Sequence, residues 1–220
     1  MAVQIAIDGP SGAGKSTLAR AVARALGFIY LDTGAMYRAI GLKALKMGIE
    51  PGDAEKVVPM LPDTDIQITY VDGEQKIFLD GEDVTGPIRD NEVSKAASDV
   101  SAIPQVRIKL VQLQREIAKS GNVVLDGRDI GTYVLPDARF KFYLTASSRE
   151  RARRRTLELL QKGDEADFET IHRQIIQRDH ADSTREFAPL RKAEDAIEID
   201  STQNTIEEVL ELVIKTVKGA

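Results

Sequence analysis

The chain alternates short, almost unbroken apolar runs with longer stretches whose apolar positions recur every three to four residues. Val3–Ile7, Phe28–Leu31, Val123–Leu125, Phe140–Leu144 and Ala196–Ile199 belong to the first kind. A strand covered on both faces needs that near-continuous apolar character, so these five segments predict a buried parallel sheet. The helical period runs through residues 15–26, 35–47, 104–119, 148–162, 167–184 and 204–217. Strand–helix alternation of this kind predicts βαβ units, right-handed crossovers and the α/β class.

One segment breaks the rhythm. Asp65–Val71 alternates polar and apolar residues, as a half-solvated strand does. Asp72-Gly73 is a hairpin-type turn, Gln75–Leu79 resumes the alternation, and Asp80-Gly81 turns again before Glu82–Thr85. Pro59, Pro62, Gly86 and Pro87 bracket the region. Residues 60–100 are therefore expected to form an inserted subdomain with an antiparallel meander. Residues 1–59 and 101–220 are expected to form the core.

Bulk properties narrow the setting. The 220 residues are 42% hydrophobic and 30% charged, ordinary values for a globular chain of one large domain. There is no cysteine, so disulfides and thiolate metal sites are excluded. No apolar run reaches the ~18 residues a membrane helix needs. The chain enters its first strand at once, so no signal peptide is expected and a cytoplasmic setting is. A net charge of -5 argues against tight binding to a nucleic-acid polymer.

The first strand leads into Gly9, Pro10, Ser11, Gly12, Ala13, Gly14, Lys15, Ser16 and Thr17, and an alanine-rich helix pattern follows. This fills G-x-x-x-x-G-K-[ST] in the strand–loop–helix context that the motif requires. Glycines let backbone N–H groups turn onto a polyphosphate, and the helix start adds its positive dipole end. Lys15 reaches the outer phosphates, and the Ser16 hydroxyl can ligate Mg²⁺. A nucleoside triphosphate is the expected ligand.

The loop alone does not choose a reaction. No N-K-x-D motif is present, which counts against a GTPase. The strand ending in Asp126 continues with Gly127-Arg128 and not with a second acid, which counts against an ATP-driven motor or switch. Leu31-Asp-Thr33-Gly34-Ala-Met-Tyr-Arg38 stands at a strand end and helix start, where nucleotides dock in open α/β sheets. Arg38 lies one turn beyond Gly34, so its fork can reach the same pocket. Asp126-Gly-Arg128-Asp129-Ile-Gly131 crowds two acids and an arginine at the end of a buried strand, which favours a substrate site. Arg149, Arg151, Arg153, Arg154 and Arg155 form a basic cluster, with Arg151 and Arg155 on one helix face. Arg178, Asp182 and Arg185 are expected to share another face. Several arginines in a chain with a phosphate loop suit the charge spread over a transferring phosphoryl group. His172 and His180 are read as solvated helix residues.

Together these segments resemble the cytidylate kinases of bacterial type, in the superfamily of P-loop nucleoside monophosphate kinases. The resemblance covers essentially the whole chain. It is carried by G-P-S-G-A-G-K-S-T, L-D-T-G-A-M-Y-R, A-A-S-D-V-S, P-x-V-R, D-G-R-D-I-G and R-D-x-x-D-S-x-R before Ala188-Pro189-Leu190. T-G-x-M-x-R also resembles adenylate kinases, but their long lid is missing here.

The resemblance implies a five-stranded parallel sheet flanked by helices, a short lid at about 150–168 and a monophosphate-binding region that contains the antiparallel insert. It implies that Gly9 through Thr17 hold ATP. Thr33, Arg38, Arg128 and Arg185 would surround the acceptor phosphate, and Ser98, Arg107 and Asp129 would face cytosine. Arg178 and Asp182 would approach the sugar and the transferred group. Arg151 and Arg155 would belong to the lid side. Lys15, Arg128, Arg151, Arg155, Arg178 and Arg185 would carry catalysis. Mg²⁺ would arrive with ATP on Ser16, with Asp126 reaching it through water. The implied reaction moves the γ-phosphoryl of Mg·ATP to CMP or dCMP, within pyrimidine nucleotide metabolism, by a monomer with nucleotides as its partners. The alternatives are a kinase of another monophosphate or of a small alcohol, and an ATP-dependent binding or switch module.

Overall fold

The computed structural model describes residues 2–219; positions 1 and 220, the outer ends of the expected core, lie outside the described residues. In chain order the regular elements begin with β1 (Gln4–Asp8), α1 (Lys15–Leu26), β2 (Ile29–Asp32), α2 (Thr33–Lys46) and α3 (Ala54–Met60). There follow β3 (Ile66–Val71), β4 (Glu74–Leu79), β5 (Glu82–Asp83), α4 (Asn91–Val100) and α5 (Pro104–Lys119). The chain ends with β6 (Val123–Gly127), β7 (Phe140–Thr145), α6 (Ser148–Gln161), α7 (Phe168–Thr184), β8 (Ile197–Asp200) and α8 (Ile206–Lys218).

The five apolar runs form one parallel sheet in the order β2-β6-β1-β7-β8. β1 is central, with Asp8 opposite Gly127 on β6 and opposite Tyr143 on β7. The crevice beyond the carboxyl ends of such strands is where open α/β sheets bind ligands. Tertiary contacts divide the chain into two compact units: residues up to Tyr30 with those from Gly121 onward, and Leu31–Ser120.

In the first unit, Ile5, Ile7, Val124, Phe142 and Leu144 of the sheet pack with Leu18 and Val22 of α1 and with Val209 and Val213 of α8. α8 starts with a capping box, in which Thr205 and Glu208 satisfy each other's backbone N–H. α6 and α7 pack together through a separate small cluster of Ala152, Ile171 and Ile175.

In the second unit, β3, β4 and β5 form the antiparallel meander. Both loops have two residues: Val71 pairs with Glu74, and Leu79 pairs with Glu82. Asp72 and Gly73 have φ of 52° and 78°, and Asp80 and Gly81 have 51° and 86°. Positive φ at both central positions is what a tight hairpin between right-twisted strands demands. Two helices were not expected from the pattern, α3 and α4. α4 packs on α2 so closely that a Cβ at Gly41 would stand 2.9 Å from the Ala97 nitrogen. Among the described residues, no helix is long and apolar enough to cross a membrane.

Candidate active site

The glycines set the shape of the phosphate loop. Gly9 leaves β1 at φ 147°, and a Cβ there would stand 1.9 Å from the Leu144 carbonyl oxygen, so no side chain fits. Gly14 is the N-cap of α1, at φ 93°. No side chain caps α1, so its first-turn N–H groups and dipole are left for an anion. Lys15 is only 5% exposed, and its Nζ donates to the Pro10 carbonyl at 2.7 Å. Burial pushes this ammonium well below the usual lysine range. Arg128 adds repulsion, while Asp126, Asp182 and Asp8 oppose the shift. A cation desolvated in this way is favoured by an arriving polyphosphate.

The Ser16 hydroxyl donates to Asp126 Oδ2 at 2.8 Å, and the Tyr30 hydroxyl donates to Asp126 Oδ1 at 2.9 Å. A hydroxyl beside a carboxylate is an all-oxygen donor pair. No cluster of three or more His, Cys, Asp or Glu able to chelate a metal exists among the described residues. That combination fits Mg²⁺, which keeps several waters and substrate phosphates in its shell.

At the end of β6 the expected arginines and acids meet. Arg128 Nε donates to Asp182 Oδ2 at 2.8 Å, and Arg185 lies 3.7 Å from both Asp182 Oδ1 and Asp129 Oδ1. Desolvation opposes ionisation of Asp182, but the charges of Arg128 and Arg178, the Arg128 hydrogen bond and Arg185 outweigh it and hold this carboxyl below its ordinary range. Arg128 is likewise desolvated, yet Asp182 above all raises it, so it stays charged. Arg185 does not continue the face of α7 as expected. The helix stops at Thr184, and Arg185 turns out with ψ 144°. It reaches Asp182 through the helix end, and its Nε donates to the Ala188 carbonyl.

The basic cluster of α6 separates into different tasks. Arg151 points inward: Nε donates to the Ala146 carbonyl, Nη1 to the Ser11 carbonyl of the phosphate loop, and Nη1 and Nη2 grip Asp179 at 3.0 and 2.5 Å. Arg155 pairs with Glu158. Arg153 and Arg154 both pair with Glu150, and Arg149 lies over the Phe168 ring. His172 is half-buried rather than solvated, stacked on Phe168 with Nε2 3.0 Å from the Ser148 hydroxyl.

In the second unit, Thr33 is buried at the first position of α2, and the side chain of Asp32 caps the helix at the Ala35 N–H. Arg38 Nη2 folds back over Gly34 to Asp32 Oδ2 at 2.9 Å, and Arg89 joins the same oxygen at 3.4 Å. Ser98 is on α4, not on the meander. Arg107 of α5 is 2% exposed, donates to the Ser101 carbonyl and lies 5.5 Å over the Tyr37 ring.

Four polar residues had no expected role: Asp8, Tyr30, Asp32 and Asp179. Their signal was faint but present. Asp8 and Asp32 end apolar strand runs, Tyr30 brings a hydroxyl into the Phe28–Leu31 run, and Asp179 follows Arg178 in the R-D-x-x-D-S-x-R stretch.

The sequence model described as cytidylate kinase matches residues 5–219. The cytidylate kinase of Caldicellulosiruptor bescii is 59% identical over 213 residues, covering 97% of this chain and 94% of that protein. That of Caldicellulosiruptor saccharolyticus is 58% identical over the same shares. A crystal structure of an uncharacterised protein from Eubacterium ventriosum shares the fold over the whole of both chains, with a TM-score of 0.53 at 13% identity. With its phosphate loop, its arginine–carboxylate network and these relatives, the chain belongs to the cytidylate kinase family.

Proposed function

We propose that this enzyme transfers the γ-phosphoryl group of Mg·ATP to CMP or dCMP, giving CDP or dCDP and ADP, and that it does so in the cytoplasm. The observation that carries the reading is the buried Lys15 ammonium beside Arg128, whose own charge is secured by Asp182. Gly9 through Thr17 hold the donor phosphates. Thr33, Arg38, Ser98, Arg107, Arg128, Asp129, Arg178, Asp182 and Arg185 are assigned to the acceptor. Ser16, with Asp126 through water, would hold Mg²⁺, which neutralises phosphate charge when bound.

The acceptor oxygen is already anionic near neutral pH, so no strong general base and no covalent intermediate are needed. Rate comes from alignment and from fixed positive charge on the transferring group, supplied by Lys15 and the arginines. We assign residues 150–168, most of α6 and the turn into α7, the part of a lid that excludes water; Ala152, Leu159, Ala166 and Phe168 of this stretch share a small apolar cluster with Ile171 and Ile175. Arg151 and Arg155 lie on it. A panel of nucleoside monophosphates with ATP, read by product chromatography, tests the reading. Stoichiometric CDP supports it; slow ATP hydrolysis without diphosphate product overturns it.

A further inference from the structure

The turn that follows Arg128 and Asp129 is capped by the wrong aspartate. Residues Ile130–Val134 form a wide π turn, in which Tyr133 and Val134 donate to the Asp129 carbonyl and Leu135 donates to that of Ile130. Asp129 holds the N-cap position, where an aspartate ordinarily turns its carboxylate onto the N–H groups of its own helix. Here it makes no capping bond. Asp8, at the end of β1, takes those donors from 122 and 123 residues away. Its Oδ1 accepts from the Ile130 N–H at 2.8 Å, and its Oδ2 accepts from the Gly131 N–H at 2.7 Å. Gly131 leaves room for the Lys141 side chain beside this contact: a Cβ there would meet Lys141 Cδ at 3.1 Å, and Asp8 Oδ2 only at an ordinary 3.4 Å. The Asp129 carboxylate lies 3.7 Å from Arg185 Nη2 instead.

We propose that Asp8 is a positioning residue for acceptor specificity: by capping the 130–134 turn from a neighbouring strand, it keeps the Asp129 carboxylate turned toward Arg185 and the acceptor nucleotide. Two backbone donors need two acceptor oxygens, and Asp8 supplies both. If one is removed, Asp129 becomes the nearest replacement cap, and its carboxylate withdraws into the turn. The β1 end thereby serves two ends at once. Gly9 opens the donor loop, and the residue before it sets the acceptor-reading carboxylate.

The inference rests on the cytidylate reading, and the two fail separately. If wild type does not prefer CMP over UMP, the reading of the acceptor fails. The Asp8 inference is decided by Asp8→Asn, which keeps the size and loses one acceptor oxygen. Its KM for CMP is expected to rise at least 10-fold and its CMP-over-UMP ratio in kcat/KM to fall, while the Kd for ATP alone stays within about twofold. Faster amide exchange at Ile130 and Gly131 should accompany this and needs no catalysis to observe. An unchanged CMP KM, or an equal loss of ATP affinity, overturns the inference, because Asp8 would then serve the donor loop or stability alone. Should Asp8→Asn not fold, Gly131→Ala decides: its Cβ presses on Lys141 Cδ at 3.1 Å and displaces the residue whose N–H Asp8 Oδ2 accepts, so a smaller rise in CMP KM with unchanged ATP affinity is expected. An unaltered CMP KM there is the overturning result.

Discussion

Arg128 and Asp182 are joined by a 2.8 Å hydrogen bond between largely buried side chains, 19% and 8% exposed, contributed by the end of β6 and by α7. Removing one partner of such a pair strands the other charge, which costs more than the pair contributes. Asp182→Ala is therefore expected to destabilise the fold by about 3 kcal/mol, seen as a Tm drop of roughly 6–12 °C. The folded state holds the Asp182 carboxyl below its unfolded value, so the unfolded chain binds the proton more readily in acid. This stabilisation is whole above pH ~4 and is lost as pH falls through the folded value. Denaturant melts of wild type and variant should thus converge toward low pH. Parallel curves from pH 7 down to pH 3 would contradict the pairing.

Lys15→Ala should lower turnover by two orders of magnitude or more and leave the fold intact. Lys15 is buried, but its contacts are the Pro10 carbonyl and surrounding charges, not the apolar core. Loss of a fixed charge on the transferring group costs about 3 kcal/mol in the transition state. Circular dichroism and single-turnover rates check both halves. Near-normal turnover from a correctly folded variant would remove the loop from the mechanism.

Much of this arrangement was legible in the chain and some was not, for reasons that can be named. β1, β2 and β6 are buried almost along their whole length, so their apolar signal does not depend on context, whereas β8 at the sheet edge buries only Ile199. The hairpins were legible because Asp-Gly tolerates the positive φ that both turns adopt. α4 was not, because it buries only Val93, Ala96, Ala97 and Val100 among polar neighbours, and its fit against α2 relies on Gly41. α3 has seven residues and contains Pro59, which reads as a breaker. In the site, residue types were legible but partners were not. Arg151 and Arg155 share a helix face by spacing, yet one grips Asp179 and the Ser11 carbonyl while the other pairs with Glu158. Partners supplied by another element of the fold leave no periodic trace.

The buried carboxyl of Asp8 makes stability fall as pH rises. Desolvation pushes it up to about 7, with Asp129 adding to the shift, while the Gly131 and Ile130 N–H groups and Lys15 restrain it. The unfolded chain releases this proton near pH ~4. Between those values the folded state binds more proton, so the cost of ionising a buried carboxyl accumulates up to about pH 7 and persists above it. Wild type should lose roughly 2 kcal/mol or more between pH 5 and 8 that Asp8→Asn does not lose. Paired urea melts at the two pH values measure the difference. Equal pH slopes in the two proteins would show that Asp8 is ionised throughout.

Asp129 sits 5% exposed at the end of the β6 segment, and its carboxylate can only accept hydrogen bonds. Cytosine presents an exocyclic amine donor, where uracil presents a carbonyl oxygen. Uracil would therefore set an oxygen lone pair against a carboxylate, and a buried polar mismatch of this kind can reject an analogue by up to ~10⁴-fold. CMP should be preferred over UMP in kcat/KM by at least about 10-fold, about 1.4 kcal/mol. Truncation to alanine would confuse the test, because Asp129 also faces Arg185 at 3.7 Å. Asp129→Asn is cleaner. Its amide keeps the shape and offers either an oxygen or an N–H₂, so it can serve both bases. The preference should shrink toward parity in this variant, through reduced CMP use and a gain with UMP. Specificity constants for both nucleotides on both proteins give the answer, and an unchanged ratio would mean that the base is read by groups other than Asp129.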